Sequence, residues 1–117
     1  MKVLVKAVAL RLDARTRADI ERRVRAGLSR LASRILRVMV RVTDRNGPRG
    51  GEDISCAVDM RLQPRGALYV EETDLDLAGA VSRAADAAAQ TLVRAREKTR
   101  DLRRRSGIRA ALRATEA

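Results

Sequence analysis

The sequence predicts an α+β fold: a two-layer sandwich in the order β-α-β-β-β-α, with a four-stranded mixed sheet and two helices packed on one of its faces. Three observations carry this expectation. Four short segments alternate apolar and polar residues with the period of a strand. Two longer segments repeat apolar residues at helical spacing. The turn-forming residues fall between these segments rather than within them. At 117 residues the chain is one domain by size, large enough for a modest core. That core has to be built without bulk, because there is one Tyr and no Phe or Trp.

The first strand is read from residues 2–8, KVLVKAV. The first helix follows, with Asp13 or Thr16 as its cap and Ile20, Val24, Leu28, Leu31 and Ile35 recurring along one face. Gly27 weakens this helix by about 1 kcal/mol relative to Ala unless close packing needs it. Arg37 to Thr43 turns Val38, Val40 and Val42 to one side, as a strand with one buried face does. Ile54, Cys56, Val58, Met60 and Leu62 do the same in the next strand, which makes Cys56 a small core residue. Gln63 to Gly66 is a turn, and Ala67 to Glu71 is the fourth strand. Thr73 or Asp74 then caps a second helix whose narrow stripe is Leu77, Val81, Ala84, Ala88, Leu92 and Ala95. The first two strands flank a helix, so they are expected to be parallel neighbours. The expected organisation is an α+β body over residues 1–100 and a basic C-terminal tail over residues 101–117, partly helical or disordered.

The loop Asn46-Gly-Pro-Arg-Gly-Gly51 resembles a phosphate cradle only in its glycines. A Walker-type loop needs Lys-Ser or Lys-Thr and then a helix, whereas Glu52-Asp53 and a strand follow here. It is read as a turn, with Arg49 at its tip as the one residue placed to touch a partner. There is no His, and one Cys builds no thiolate metal site. Glu71 to Asp76 is an acidic helix entry that favours the macrodipole. No catalysis, cofactor, metal or small-molecule substrate is therefore expected. No apolar run approaches the roughly 18 residues of a membrane span, and the N-terminus lacks the zones of a signal peptide. No membrane partner is expected, and the lone Cys56 fits a reducing, cytoplasmic setting.

Charge is the informative property. Twenty-three Arg and three Lys stand against 15 acids, a net +11, which favours a polyanion and nucleic acid above all. With so few aromatics, stacking on unpaired bases is nearly excluded and contact is expected through phosphates and shape. At about 100° per residue, Arg23, Arg30 and Arg34 form one row on the first helix, and Arg22 lies on its solvent face. On the second helix Arg83, Arg94 and Lys98 share a row, with Arg96 on the opposite flank. These eight and Arg49 are the candidate RNA-binding residues. Asp59, Glu71, Glu72, Asp74 and Asp76 gather elsewhere, so the molecule is expected to be electrically polarised.

Three stretches taken together, in their order and spacing, resemble a known family: Ile20, Val24 and Leu28-Ser-Arg-Leu31; the loop Asn46 to Gly51; and Val70-Glu-Glu-Thr-Asp-Leu-Asp-Leu77 leading into Ala80-Val81 and Arg83-Ala-Ala-Asp86. Over residues 1 to about 100 the chain resembles the ribosome hibernation promoting factor and ribosome-associated inhibitor family, also described as sigma-54 modulation or ribosomal subunit interface proteins, in its short form. The resemblance implies a β-α-β-β-β-α fold and binding to the small ribosomal subunit in its mRNA–tRNA channel. It further implies that basic helix residues contact 16S rRNA, so that translation is blocked and idle ribosomes are kept intact. By matching position Arg30 and Arg94 take basic slots, and Arg96 and Lys98 resemble the basic end of the second helix. Ala26, Gly27, Ala87 and Gln90 depart from positions that are often basic, which shifts weight toward Arg22, Arg23 and Arg103 to Arg105. The chain stops where long members add a linker and a dimerisation domain, so direct pairing of ribosomes is not expected. Two other classes stay open: a generic double-stranded RNA-binding module, and a protein-interaction stress-regulatory module that contacts its partner through the acidic strand edge.

Overall fold

The computed structural model describes residues 1–45 and 54–116, with side chains as far as Lys98. The loop at 46–53, and Arg49 with it, lies outside the described residues. The elements are β1 (Lys2–Val8), α1 (Ala14–Leu28), a 3-10 segment (Ser29–Arg34), β2 (Ile35–Asp44), β3 (Ile54–Leu62), β4 (Ala67–Asp74) and α2 (Leu77–Glu116). The sheet order is β1-β2-β3-β4. β1 and β2 are parallel, and the other two pairings are antiparallel. This is the predicted mixed-sheet α+β fold.

Local chemistry sets the helix boundaries. Asp13 caps α1, its carboxylate accepting the Thr16 N–H at 2.7 Å. That bond, and then one from the Thr16 hydroxyl, hold Asp13 below the usual carboxylate range. α1 ends at Leu28 rather than running on toward Ile35, and the tighter 3-10 winding of Ser29–Arg34 still brings Leu31 and Ile35 into the core. α2 is capped by Asp76, whose carboxylate accepts the Gly79 N–H at 2.6 Å and whose carbonyl accepts the Ala80 N–H at 3.1 Å. The expected caps, Thr73 and Asp74, are still in β4, paired with Ser55 and Ile54. Between β3 and β4, Gly66 sits at φ 111°, where only glycine is at ease, and its carbonyl accepts the Leu62 N–H at 2.9 Å.

One sheet face is buried. Val3, Val38, Val40, Val42, Cys56, Val58 and Met60 meet Ile20, Val24 and Leu28 of α1 and Ala80, Val81, Ala84, Ala88 and Leu92 of α2. With no aromatic volume to fill the layer, the helices approach each other closely. A Cβ added at Gly27 would lie 3.3 Å from the Ala85 Cβ and 3.1 Å from Arg23 Nη1. The helix-weakening glycine is therefore a packing residue. Cys56 is fully buried, and desolvation pushes its thiol up to about 12.

α2 is 40 residues long, about 60 Å at 1.5 Å per residue, in a molecule measuring 70 × 25 × 17 Å. Over the stretch from residue 101, expected as a basic tail either partly helical or disordered, the backbone is helical through Glu116. Among the described side chains, burial on α2 ends at Leu92.

Three outcomes follow from this packing. Gly27→Val should lower stability by about 1–3 kcal/mol, measured by urea unfolding, because the added methyls overpack the crossing. Native Cys56 should resist a thiol reagent at pH 8 and react fully in denaturant. Asp13 has its pKa depressed by folding, so its contribution is present above the unfolded value of about 3.9 and is lost as pH falls through the folded one. Asp13→Ala should accordingly melt below the parent chain at pH 7, with the gap closing in acid.

Candidate nucleic-acid interface

The strand directions determine where the charges gather. β1, β2 and β4 run one way and β3 the other. α1 and α2 each turn back after a strand of the first set, so both helices run in the same direction. The contacts agree. Thr16, Asp19 and Ile20 border the same groove as Leu77, Ala78, Val81 and Ser82, and further along Arg23 meets Asp86 at 3.1 Å. Both helix N-termini therefore lie at one end of the sandwich. The 3-10 segment lies at the other, beside the starts of β1, β2 and β4 and the β3–β4 turn. Arg25 in the last turn of α1 donates to the Met1 carbonyl at 3.0 Å, which fixes that correspondence. The eight residues of β4 span about 26 Å and the helical path from Leu77 to Arg94 about the same, so Arg94, Arg96 and Lys98 sit at this second end.

The polarity expected from the sequence is thus end to end. The first end carries Asp13, Asp19, Asp44, Glu72, Asp74 and Asp76, offset by Arg11, Arg15, Arg17 and Arg45. The second carries Lys2, Arg30, Arg34, Arg37, Arg61, Arg65, Arg94, Arg96 and Lys98, with only Asp59 and Glu97 as acids near it among the described residues. Arg25, in the last turn of α1, is also favoured by the macrodipole at that helix end.

The eight described candidates divide by environment. Arg30, Arg94, Arg96 and Lys98 are exposed and form no ion pair among the described residues. Arg22 pairs with Asp19 at 3.0 Å, Arg23 bridges to Asp86 on the other helix at 3.1 Å, and Arg83 faces Glu72 at 3.9 Å. These are surface pairs that a stronger anion displaces cheaply. Arg34 is half-buried, and its Nη1 is buried with no hydrogen-bond partner among the described residues. The projected row Arg23-Arg30-Arg34 does not form, because the α-helical period stops at Leu28. Arg49 lies outside the described residues.

The helix projection overlooked the sheet. Lys2, Lys6, Arg37, Arg41 and Arg61 all stand on the face that the helices leave uncovered. The signal was available in the strand alternation, which assigned Arg37 and Arg41 to the outer face. Among the described residues no group of three or more His, Cys, Asp or Glu is arranged to hold a metal ion. Nor is any described helix long and apolar enough to cross a membrane.

Comparison with known proteins agrees with this architecture. The N-terminal domain of Protein Y from Thermus thermophilus superposes with a TM-score of 0.66 at 23% identity, over 80% of this chain and 98% of that one. A ribosomal subunit interface protein from Coxiella burnetii gives a TM-score of 0.63 at 11% identity, over 83% and 99%. At such identities the likeness is one of fold. No curated protein sequence matches significantly. The model of the family described as Sigma 54 modulation protein / S30EA ribosomal protein matches residues 3–100, and the chain belongs to that family of ribosome-associated proteins.

Proposed function

We propose that this protein is a non-enzymatic cytoplasmic factor that binds the small ribosomal subunit through 16S rRNA in the mRNA–tRNA channel. Bound there, it inhibits translation and holds idle ribosomes in reserve. The observation that carries the proposal is the basic end of the sandwich, where Arg30 and the α2 segment Arg94, Arg96 and Lys98 present guanidinium and ammonium groups with no acid partner among the described residues. Family membership supplies the ribosome as the partner class. Phosphates are the complement such groups recognise, and their neutralisation releases counterions.

The mechanism needs occupancy rather than chemistry. A two-layer body about 25 × 17 Å in cross-section excludes other strands from a channel, while the cations at one end fix its register on folded RNA. The ion pairs of Arg22, Arg23 and Arg83 constitute a second set of cations, available if phosphates replace Asp19, Asp86 and Glu72. A generic reader of duplex RNA would use the same charges but would not need the ribosome.

Co-sedimentation with small subunits near physiological salt separates these. Binding should be stoichiometric, displaced by bound mRNA and tRNA, and weak on free duplex. The triple variant Arg30→Glu, Arg94→Glu, Lys98→Glu should bind more weakly at every salt concentration and lose about 2 to 3 units of salt slope, at about 0.7–0.9 per phosphate contact. Equal retention on any duplex would remove the ribosomal reading, and an unchanged triple variant would remove the basic end as the contact surface.

A further inference from the structure

The register of the sheet arranges its uncovered face in rows. Lys2 pairs with Arg37 and Arg37 with Arg61, so three cations stand side by side across β1, β2 and β3. Two residues on, the row is Leu4, Met39, Asp59 and Tyr69. Two further on it is Lys6, Arg41, Ala57 and Glu71. Two cationic rows about 13 Å apart thus flank a row of Leu4, Met39 and the chain's single aromatic residue, interrupted by Asp59, which pairs with Arg61.

This pattern is costly to the fold. Like charges directly opposite on neighbouring strands destabilise a sheet, and here Lys2/Arg37, Arg37/Arg61 and Lys6/Arg41 are all such pairs. Acids do little to relieve them. Asp59 lies 3.7 Å from Arg61. Glu71 is engaged elsewhere, accepting from the Ser55 hydroxyl at 2.8 Å, from the Tyr69 hydroxyl at 3.0 Å and from Arg45. Lys2, Lys6, Arg37 and Arg41 have no ion-pair partner among the described residues.

The same network prepares the tyrosine. Tyr69 is 59% exposed, yet its hydroxyl is tied to Glu71, so the ring is held rather than free. It borders a shallow depression of about 50 Å³ lined also by Met39, Arg41, Ala57 and Asp59. Leu4, at 38% exposure, lies at the far side of the same row. A fixed aromatic ring beside apolar floor, with cations on either side, has the composition of a stacking site on a phosphate-binding surface.

We propose that the uncovered face of the sheet binds single-stranded RNA, with a base stacked on Tyr69 and the flanking phosphates on the Lys6/Arg41 and Lys2/Arg37/Arg61 rows. A paired duplex does not fit this arrangement, because its bases are already stacked on one another. A second copy of the chain would bring cationic rows against cationic rows. An acidic protein would satisfy the charges but would not use the held ring. The site is on the opposite side of the sheet from the helices and does not depend on the function proposed above. With it, the protein has two RNA-contacting surfaces.

The lone tyrosine makes the test specific, since it is the only source of intrinsic fluorescence above the peptide background in a chain without Trp. A ten-nucleotide oligouridine should quench that fluorescence in the full chain near physiological salt. The Lys6→Gln, Arg41→Gln pair should bind labelled oligouridine about tenfold more weakly, and Tyr69→Ala by a similar factor. Because the first pair relieves like-charge repulsion, it should melt no lower than the parent, which separates lost binding from lost folding. The pair Arg94→Glu, Lys98→Glu should leave the quenching in place while impairing subunit co-sedimentation, so the two proposals fail independently. Three results would overturn the sheet site: saturation by oligouridine without quenching, weakening by the helix variants alone, or equal quenching by polyglutamate of matched charge, which would assign the face to an acidic protein.

Discussion

Two helices that run in the same direction over one face of a sheet are the constraint on which the rest of this structure depends. Because β1, β2 and β4 are parallel, both helices return along the same course. Because the core has no aromatic side chain in it, they must lie close enough for Gly27 to meet Ala85. Valine, leucine and alanine then fill a thin layer completely, and most of the buried side chains are essentially without solvent contact. A bulkier core would have spread the helices and, with them, the side chains on their outer flanks.

Charge follows from that geometry. Codirectional helices put both amino-terminal dipole ends together, where Asp13 and Asp76 cap them, while arginines accumulate at the other end of the sandwich, where α1 finishes and α2 runs on. The capping carboxylates are of the sign the helix N-termini favour. The acid-lined end is therefore locally compatible with folding, and the cations are left at the end where a polyanion is expected. The open face of the sheet differs. Its like-charged neighbours oppose the fold, and such a conflict between local stability and sequence is where a functional surface is expected.

Much of this was legible in the sequence. β2 and β3 were clear because only one of their faces packs on the helices, so large apolar residues alternate with arginines and with small or polar residues. Order, parallel pairing and the core role of Cys56 followed from the same alternation. The helix boundaries were less legible. β4 extends to Asp74 because Thr73 and Asp74 find backbone partners in Ser55 and Ile54, a tertiary fact that moves the cap to Asp76. Likewise the change to 3-10 winding after Leu28 separated Arg30 and Arg34 from the row assigned to them. The sheet-face rows were invisible for a different reason: each strand holds only one or two of the cations, and register alone brings Lys2, Arg37 and Arg61 together. A single tyrosine counted as near absence of aromatics in composition. Its exposed, hydrogen-bonded placement gives it a role that a count did not suggest.

If the function proposed above holds, the basic end of the sandwich faces ribosomal RNA. A cryo-EM reconstruction of the chain on the small subunit addresses it most directly. Arg30, Arg94, Arg96 and Lys98 should lie within hydrogen-bond distance of 16S rRNA phosphates, with the capped helix N-termini turned away. A bound orientation in which Asp74, Asp76 and the helix starts met the RNA, or in which the chain sat on ribosomal protein alone, would contradict it.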